Sequence, residues 1–277
     1  MPANRRASIT STRVHTLRSH SFNQMYTVSV AMPASYSSKP SKLYPTIYLL
    51  DANFHFGMVT DMTRSMALDD GFPETLVVGL GYPSRGSLKP ASNRVLLLRS
   101  RDLTPIPDPS AAKMLASRLK IKRVATGGAQ SMLSFLSDEA IPFIERTYRS
   151  NPTRRVLVGH SFGGLFALYA LFSSHRLFKG YVAANPSLWY SDGVVFRYEA
   201  EYATHHKRLP VKLFLAAGER EEDPKYQMTS NVIRLAGRLR NRRYRGLALT
   251  SLIVPGCAHC ASTAPAYQAG LHAVLGH

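Results

Sequence analysis

"RRVLVGHSFGGLFALYAL", from Arg154 to Leu171, passes from one apolar run through a glycine-rich turn into a second apolar run. The first run, residues 155–159, is typical of a buried parallel strand. From Phe162 onward, apolar side chains recur at helical spacing. Ser161 therefore lies where a strand turns into a helix, and the neighbouring glycines permit a tight corner there.

The corner has the spacing G-x-S-x-G, from Gly159 to Gly163. Between a strand and a helix, this spacing predicts a nucleophile elbow, which holds a serine hydroxyl clear of the sheet. The backbone N–H of Phe162 is then expected to face a developing oxyanion, assisted by the positive end of the helix dipole. We assign His160 to the substrate-binding surroundings, with its side chain pointing away from the serine oxygen. The alternative is a turn that serves only close helix–strand packing.

The composition describes a globular protein: among 277 residues, 45% are hydrophobic and 19% are charged. No apolar stretch approaches the roughly 18 residues of a membrane span. The first twenty residues contain arginines but no apolar signal core, which predicts a cytoplasmic location. Cys257 and Cys260 are too few for a disulfide framework.

The charge is strongly positive, with 35 Lys and Arg against 17 Asp and Glu, a formal net charge of +18. Such a charge favours anionic partners, including nucleic acid, anionic lipid or an acidic small molecule. The densest basic stretch, residues 234–245, is expected to be the solvated face of a surface helix that continues into a loop. No zinc-finger, RRM or basic-zipper pattern accompanies it, so we expect no specific nucleic-acid partner.

Strand and helix patterns alternate along the whole chain. Short apolar runs predict strands at 25–33, 46–51, 74–83, 155–159, 179–187, 211–219 and 247–255. Helical patterns cover 56–68, 131–148, 162–172, 231–243 and 263–275. Alternation predicts a single domain, 1–277, of the α/β class, with a mostly parallel sheet covered by helices on both faces. Residues 84–128 lack a regular pattern, and we expect an irregular insertion there that forms a lid or cap over the sheet edge.

A nucleophilic serine needs a base, and the base needs an acid to orient it. In an α/β-hydrolase the acid follows the serine in the chain and the histidine comes last. The run 211–223, "VKLFLAAGEREED", ends a strand pattern in a turn rich in acids. Glu221 is the favoured partner, Glu219 is the second choice, and Glu222 and Asp223 remain open.

His259 follows the last predicted strand, in "LIVPGCAHCAS", where the base is expected. Cys257 and Cys260 flank it and suggest a metal site. A structural zinc needs four ligands, typically in two separated pairs, and the sequence contains no second pair. We therefore expect neither a metal nor another cofactor. A second oxyanion donor is expected after an early strand, where Asn53 is favoured and Ala52 is the alternative.

Taken together, the motifs resemble the putative esterase family of α/β-hydrolases. That family includes the enterochelin esterases and related siderophore trilactone hydrolases and, more distantly, esterase D and the mycolyltransferases. The resemblance extends from about residue 13 to 275, and its segments are "YPTIYLLDANFHF" at 44–56, "VVGLGYP" at 77–83, "RSRDLTP" at 99–105, the long block 127–171, "NPSLWY" at 185–190, "GEREE" at 218–222 and "GCAHCAS" at 256–262.

The resemblance implies a role for several positions. The matching catalytic positions are Ser161 as nucleophile, Glu221 as acid and His259 as base, with the amides of Phe162 and Asn53 as oxyanion donors. Arg99 matches an arginine expected to contact an anionic substrate, and Trp189 matches an aromatic position near the site. The chain departs from the family pattern at three positions: Asn185 replaces serine, Ala52 replaces glycine and Tyr190 replaces tryptophan.

The expected activity is that of a serine hydrolase which cleaves carboxylic esters through an acyl-enzyme intermediate. A siderophore trilactone is one substrate that the resemblance implies, and a small-molecule ester of anionic character suits the basic chain. Small acyl esters, thioesters such as S-formylglutathione, and acyl transfer would use the same residues. A function of another class is a non-catalytic hydrolase fold that binds anionic partners through its basic surface. The sequence specifies neither the acyl group, the alcohol nor the oligomeric state.

Overall fold

A mixed sheet of eight strands forms the centre of the computed structural model, which describes residues 8–20, 22–69, 71–83, 88–174 and 176–276. The strands of these residues are β1 (Thr12–Ser19), β2 (Gln24–Ala31), β3 (Tyr44–Leu49), β4 (Leu76–Gly81), β5 (Ser150–His160), β6 (Gly180–Ala184), β7 (Lys212–Gly218) and β8 (Ala248–Val254). Their order across the sheet is β1-β2-β4-β3-β5-β6-β7-β8. Only β1 with β2 and β2 with β4 pair antiparallel, and the other neighbours are parallel.

Helices cover both faces of this sheet. They are α1 (Ala52–Met66), α2 (Leu88–Asp102), α3 (Pro109–Leu119), α4 (Ala129–Ser134), α5 (Ile141–Thr147), α6 (Phe162–Ser173), α7 (Tyr190–His205), α8 (Met228–Arg242) and α9 (Thr263–Leu275). Side chains of a strand alternate between the faces. Ile47 and Leu49 of β3 pack with α1 and α9, whereas Tyr48 and Leu50 pack in the core that includes α6 and α8. The predicted α/β-hydrolase class, mostly parallel with helices on both faces, is confirmed.

The prediction of irregular structure for residues 84–128 is wrong for much of that segment. It contains α2 and α3, while residues 84–87 lie outside the described part of the chain. Tertiary contacts stabilise α2 where its own apolar pattern is weak, because Arg99 pairs with Asp51 and Asp102 accepts the hydroxyl of Tyr26 of β2 at 2.7 Å. The side chain of Asp108 caps α3 by accepting the backbone N–H of Ala111 at 2.9 Å. A lid role for the segment, and a single domain over 1–277, stay predictions.

Two further elements have no counterpart among the predicted ones. The strand β1 carries few buried side chains, and its pairing with β2 makes it a strand at the edge of the sheet. The helix α7 begins with three residues in the left-handed region, Ser191, Asp192 and Gly193, which interrupt any helical pattern at its start. Antiparallel pairing with β2, rather than local hydrophobic spacing, therefore defines β1.

The predicted helix at 131–148 is split into α4 and α5 by a π-helical turn, Phe135–Ala140. Pro142 lies in the first turn of α5 and lacks the N–H needed for a regular helical hydrogen bond. The π-helical turn comes just before this proline, and the N–H of Ile141 donates to the carbonyl of Leu136, five residues back.

Close packing of α6 against β5 and β6 explains two glycines of the opening stretch. A Cβ at Gly159 would lie 2.3 Å from the carbonyl oxygen of Gly163, and one at Gly164 would lie 2.9 Å from that of Ala184 in β6. Neither position has room for a side chain, so α6 approaches β5 at Gly159 and β6 at Gly164 more closely than any other residue would allow. No helix of the described residues is long and apolar enough to cross a membrane.

Candidate active site

Ser161 occupies a strained corner between β5 and α6. Its backbone has φ 60° and ψ −117°, a conformation that non-glycine residues rarely adopt. Two hydrogen bonds hold the corner: the N–H of Ser161 donates to Ala184 at 2.9 Å, and its carbonyl accepts from Leu165 at 2.9 Å. The residue remains half-buried. Strain maintained in this way, at a partly exposed hydroxyl, is a property of functional sites and of nucleophile elbows in particular.

The carboxylate of Glu221 and the imidazole of His259 form a close pair. His259 Nδ1 lies 2.6 Å from Glu221 Oε2, and the side chains are 40% and 3% exposed respectively. Glu221 ends a short turn after β7, and His259 lies in the loop between β8 and α9. Parallel strands bring these two loops to the same edge of the sheet as the Ser161 corner. The structure thus brings together the acid and the base at the two predicted positions.

The other acids of the same turn have different partners. Each of them is exposed and accepts a backbone N–H, Glu219 from Gly256, Glu222 from Ser230 and Asp223 from Lys225. Their hydrogen bonds close turns and cap the start of α8, which is an ordinary task for acids in a loop. Among these acids, only Glu221 is both buried and paired with the histidine.

Asn185, directly after β6, links the acid to the loop of the base. Its Nδ2 group lies within hydrogen-bond distance of three acceptors, which share its two N–H groups. They are Glu221 Oε1, the carbonyl oxygen of His259 at 2.9 Å and Ser262 Oγ at 2.5 Å. Glu221 Oε1 also accepts the N–H of Gly218 at 2.7 Å. Asn185 is fully buried, and its φ of 47° lies in the left-handed region, which asparagine tolerates better than most residues. In the sequence, Asn185 stands out only as a departure from the family pattern, and its position at the end of a strand was the available signal.

His160 supports the same loop from the other side. Its Nε2 lies 2.9 Å from the carbonyl oxygen of His259, and the two rings lie 4.5 Å apart. Burial, and next the proximity of His259, lower the pKa of His160 to about 3. The ring is therefore neutral near pH 7, and Nε2–H donates to the carbonyl. This contact positions the loop, and the substrate-binding role of His160 stays a prediction.

Phe162 and Asn53 begin the two helices that face the corner. Phe162 is the first residue of α6 and Asn53 the second of α1, so their backbone N–H groups have no acceptor within their own helices. The Asn53 side chain fixes the start of α1, because it donates to the carbonyl of Tyr82 and accepts its N–H, both at 2.8 Å. Ala52, the alternative donor, is the first residue of α1. The choice between them stays a prediction.

Arg99 forms a nearly buried ion pair that the sequence did not indicate. Its Nε and Nη2 groups donate to the two carboxylate oxygens of Asp51 at 2.7 and 2.8 Å. The side chains are only 12% and 2% exposed. The guanidinium also lies 5.4 Å from the ring centre of Phe162, so it joins α2 to the starts of α1 and α6. Contact between Arg99 and an anionic substrate stays a prediction, and the structure adds Asp51 as its partner.

Trp189 belongs to a partly exposed aromatic wall beside the site. Its ring lies 4.9 Å from that of Tyr226 and 6.2 Å from that of Phe162. Tyr226 in turn donates its hydroxyl to Met114 Sδ of α3 at 3.2 Å. The wall therefore connects the acid-bearing loop to the segment 84–128, and a role for Trp189 in substrate binding stays a prediction.

The cysteines on either side of His259 are free thiols, Cys257 half-buried and Cys260 exposed. The carbonyl of Cys257 accepts the N–H of Arg220 at 2.9 Å, which ties the histidine loop to the turn of Glu221. Within the described ranges, no group of three His, Cys, Asp or Glu side chains is arranged to hold a metal ion.

The depressed pKa of His160 predicts a pH-dependent stability. Its pKa is about 3 in the folded protein and about 6.5 in the unfolded chain. The unfolded chain binds the proton more readily, so this contribution is complete above about pH 6.5 and is lost as the pH falls toward 3. Between pH 7 and pH 5, we expect His160 to account for a loss of about 2 kcal/mol in the free energy of unfolding.

Urea unfolding at both pH values measures this loss. The variant His160→Gln should show a smaller fall than the wild type, whereas His205→Gln, at an exposed histidine, should match the wild type. Equal falls in the wild type and His160→Gln would show that the buried ring does not control this dependence.

Comparisons with known proteins agree with the geometry. The family model described as "Putative esterase" matches residues 111–249. The ferri-bacillibactin esterase BesA of Bacillus subtilis is 31% identical over 238 residues, which cover 84% of this chain and 78% of that protein. A siderophore enterobactin esterase of Emericella nidulans is 33% identical over 209 residues, 72% of this chain and 66% of that protein.

Solved structures share the whole fold. The BES protein of Bacillus cereus superposes with a TM-score of 0.82 at 23% identity, over 99% of both chains. The siderophore hydrolase EstA of Aspergillus nidulans gives a TM-score of 0.80 at 25% identity, over 97% of both chains. The chain therefore belongs to the putative esterase family, and it is a carboxylic ester hydrolase with the α/β-hydrolase fold.

Proposed function

We propose that Ser161, His259 and Glu221 form the catalytic triad of this ester hydrolase. The observation that carries the proposal is the pair of Glu221 Oε2 and His259 Nδ1, 2.6 Å apart, at the sheet edge where the strained Ser161 corner lies. The histidine is partly exposed and the carboxylate is buried. A catalytic base must be accessible to the substrate, whereas the acid that orients it lies buried behind it, and this pair has that arrangement.

The pairing determines which ring nitrogen does the chemistry. Nδ1–H of His259 donates to Glu221, so Nε2 carries the free electron pair of the neutral ring and acts as the base. Ser161 Oγ attacks the ester carbonyl while His259 Nε2 accepts its proton. The imidazolium then protonates the leaving alcohol, and the acyl group remains on Ser161 as an ester. Water, deprotonated by the same nitrogen, attacks this ester, and collapse of the intermediate returns the proton to Ser161 and releases the acid.

The two helix starts supply the oxyanion site in this proposal. The backbone N–H groups of Phe162 and Asn53 donate to the oxygen that becomes negative in each tetrahedral intermediate. The bond from Asn53 to Tyr82 and the ion pair of Arg99 with Asp51 keep these helix starts in place. Such donors cost little reorganisation at the moment of reaction, because folding has already oriented them.

For the substrate, we propose an anionic siderophore ester. Two relatives support this proposal, because one is named as an esterase of ferri-bacillibactin and the other as an esterase of enterobactin. A net charge of +18 attracts an anionic complex.

We also propose that the protein acts in the cytoplasm. We propose further that the segment 84–128 serves as a lid, which the contact of α3 with the aromatic wall supports.

Loss of the proposed nucleophile should remove turnover. We expect Ser161→Ala to lower kcat for p-nitrophenyl acetate and butyrate by several orders of magnitude, because the acyl acceptor is gone. Ser187 provides a close control, since its hydroxyl lies 3.4 Å from that of Ser161. Ser187→Ala should retain kcat within about tenfold. Full activity of Ser161→Ala, or inactivity of Ser187→Ala alone, contradicts the assignment.

Initial rates on three ester classes test the substrate. Catecholate trilactones, as ferric complexes, should give a higher kcat/KM than S-formylglutathione or p-nitrophenyl esters. Their kcat/KM should also fall with added salt, because screening weakens the attraction between an anion and the basic surface. A preference for S-formylglutathione would assign the triad to small thioesters instead.

Asn185 should act as a positioning residue. We expect Asn185→Ala to lower kcat about tenfold with little change in KM, because a charge-assisted hydrogen bond to Glu221 is lost. Asn185→Ser, which restores a short donor, should recover part of kcat. A rise in KM in place of the fall in kcat, or no recovery in Asn185→Ser, would contradict this positioning role.

A further inference from the structure

A groove on α8 lies outside the proposed triad. Arg234, Arg238 and Arg242 line it at intervals of four residues, together with Gly237 and Asn241, and its volume is about 520 Å³. Side chains four apart share one face of a helix. The densest basic stretch of the sequence therefore places three of its arginines along a single open face of α8.

A buried carboxylate organises two of these arginines. Glu199 of α7 is fully buried and forms ion pairs with Nε of Arg238 and, at 2.9 Å, with Nε of Arg242. The hydroxyl of Tyr244 donates to the same carboxylate at 3.0 Å. The arginine side chains remain 33% and 38% exposed. A guanidinium has five N–H donors, so donors of both arginines remain available to a ligand.

Arg234 is fixed in a different way. Its guanidinium carbon lies 3.9 Å from the ring centre of Phe196. A stacked guanidinium keeps its N–H groups at the edge of the plane, where they can bind an anion. Two of the three guanidinium groups of the groove pair with the single carboxylate of Glu199, which leaves two positive charges uncompensated among these four residues.

Gly237 forms part of the wall of the groove without a packing reason. A Cβ at this position would meet no atom within 4 Å. Glycine within a helix costs about 1 kcal/mol relative to alanine, and like charges four residues apart destabilise a helix further. Within the described residues, no packing contact at this glycine offsets these costs. A ligand that lies against the bare backbone, between the arginines, would offset them.

We propose that this groove binds a compact anion of the phosphate class, such as pyrophosphate or the diphosphate of a nucleotide. Guanidinium forks match phosphate oxygens in pairs, and successive arginines are about 6 Å apart along the helix axis. A diphosphate offers two such groups and enough charge to balance the excess. The proposal does not depend on the esterase assignment, because no residue of the groove belongs to the triad.

Calorimetric titration of pyrophosphate into the full chain, at constant ionic strength, tests the site. We expect saturable binding with one site per chain and about tenfold weaker binding in Arg234→Ala. Arg240→Ala is the matched control, because Arg240 lies on the same helix but donates to Ser251 Oγ, outside the groove. It removes the same charge and should keep Kd within about twofold. Equal weakening in both variants would reduce the site to general charge attraction and overturn the proposal.

A variant at Gly237 tests the shape of the groove alone, because it leaves every charge of the groove in place. Gly237→Leu should abolish pyrophosphate binding by filling the groove, while its thermal unfolding midpoint stays at or above that of the wild type. Esterase rates should remain unchanged in Arg234→Ala and Gly237→Leu, which separates this site from the triad. Normal binding by Gly237→Leu overturns the proposal.

Two further anions identify the ligand. If ADP binds more tightly than pyrophosphate, the ligand is the diphosphate of a nucleotide. If pyrophosphate binds more tightly, the ligand is the free anion. Both results support the groove. If citrate binds and pyrophosphate does not, the phosphate assignment is overturned.

Discussion

The structure depends on the close approach of β5 and α6. Gly159 meets Gly163 at a distance that leaves no room for a Cβ, and this contact forces the chain through a corner at Ser161. The corner positions the start of α6, and the remaining loops at the same sheet edge gather around it. Arg99 and Asp51 attach α2 and the start of α1 to this point. A single steric constraint thus positions the proposed nucleophile and one oxyanion donor together.

Hydrogen-bond donors near the Ser161 corner converge on Glu221 and on the loop that carries His259. Glu221 accepts from Gly218, Asn185 and His259, while the carbonyl of His259 accepts from Asn185 and His160. Buried polar groups are costly unless they are satisfied, and satisfied networks specify one geometry. Because the end of β5 and the segments that follow β6, β7 and β8 all contribute to the network, this half of the sheet must be assembled before the proposed triad exists. The groove on α8, by contrast, needs only α7, α8 and their carboxylate.

The sequence predicted the fold class from local pattern, and chain order placed Glu221 and His259 after neighbouring strands, where the structure pairs their side chains. The apolar runs of β3, β4, β6 and β7 are buried on both faces and stand out clearly. Glu221 could be ranked only by its distance from Gly218; its burial required the turn after β7 to fold inward. Asp51 and Asn185 were not recognised as partners, since their contacts join residues far apart in the chain. The helix α2 was missed for the same reason: ion pairs, rather than its own spacing, stabilise it.

The central claim, that Ser161 is the nucleophile activated by His259, is tested most directly by covalent labelling. The intact protein would be treated with an organophosphonate that reacts with activated serines, and the labelled residue located by tandem mass spectrometry. The account predicts one phosphonyl group per chain, attached to Ser161, and no labelling of His259→Ala. A label on Ser187, or equal labelling of His259→Ala, would contradict it.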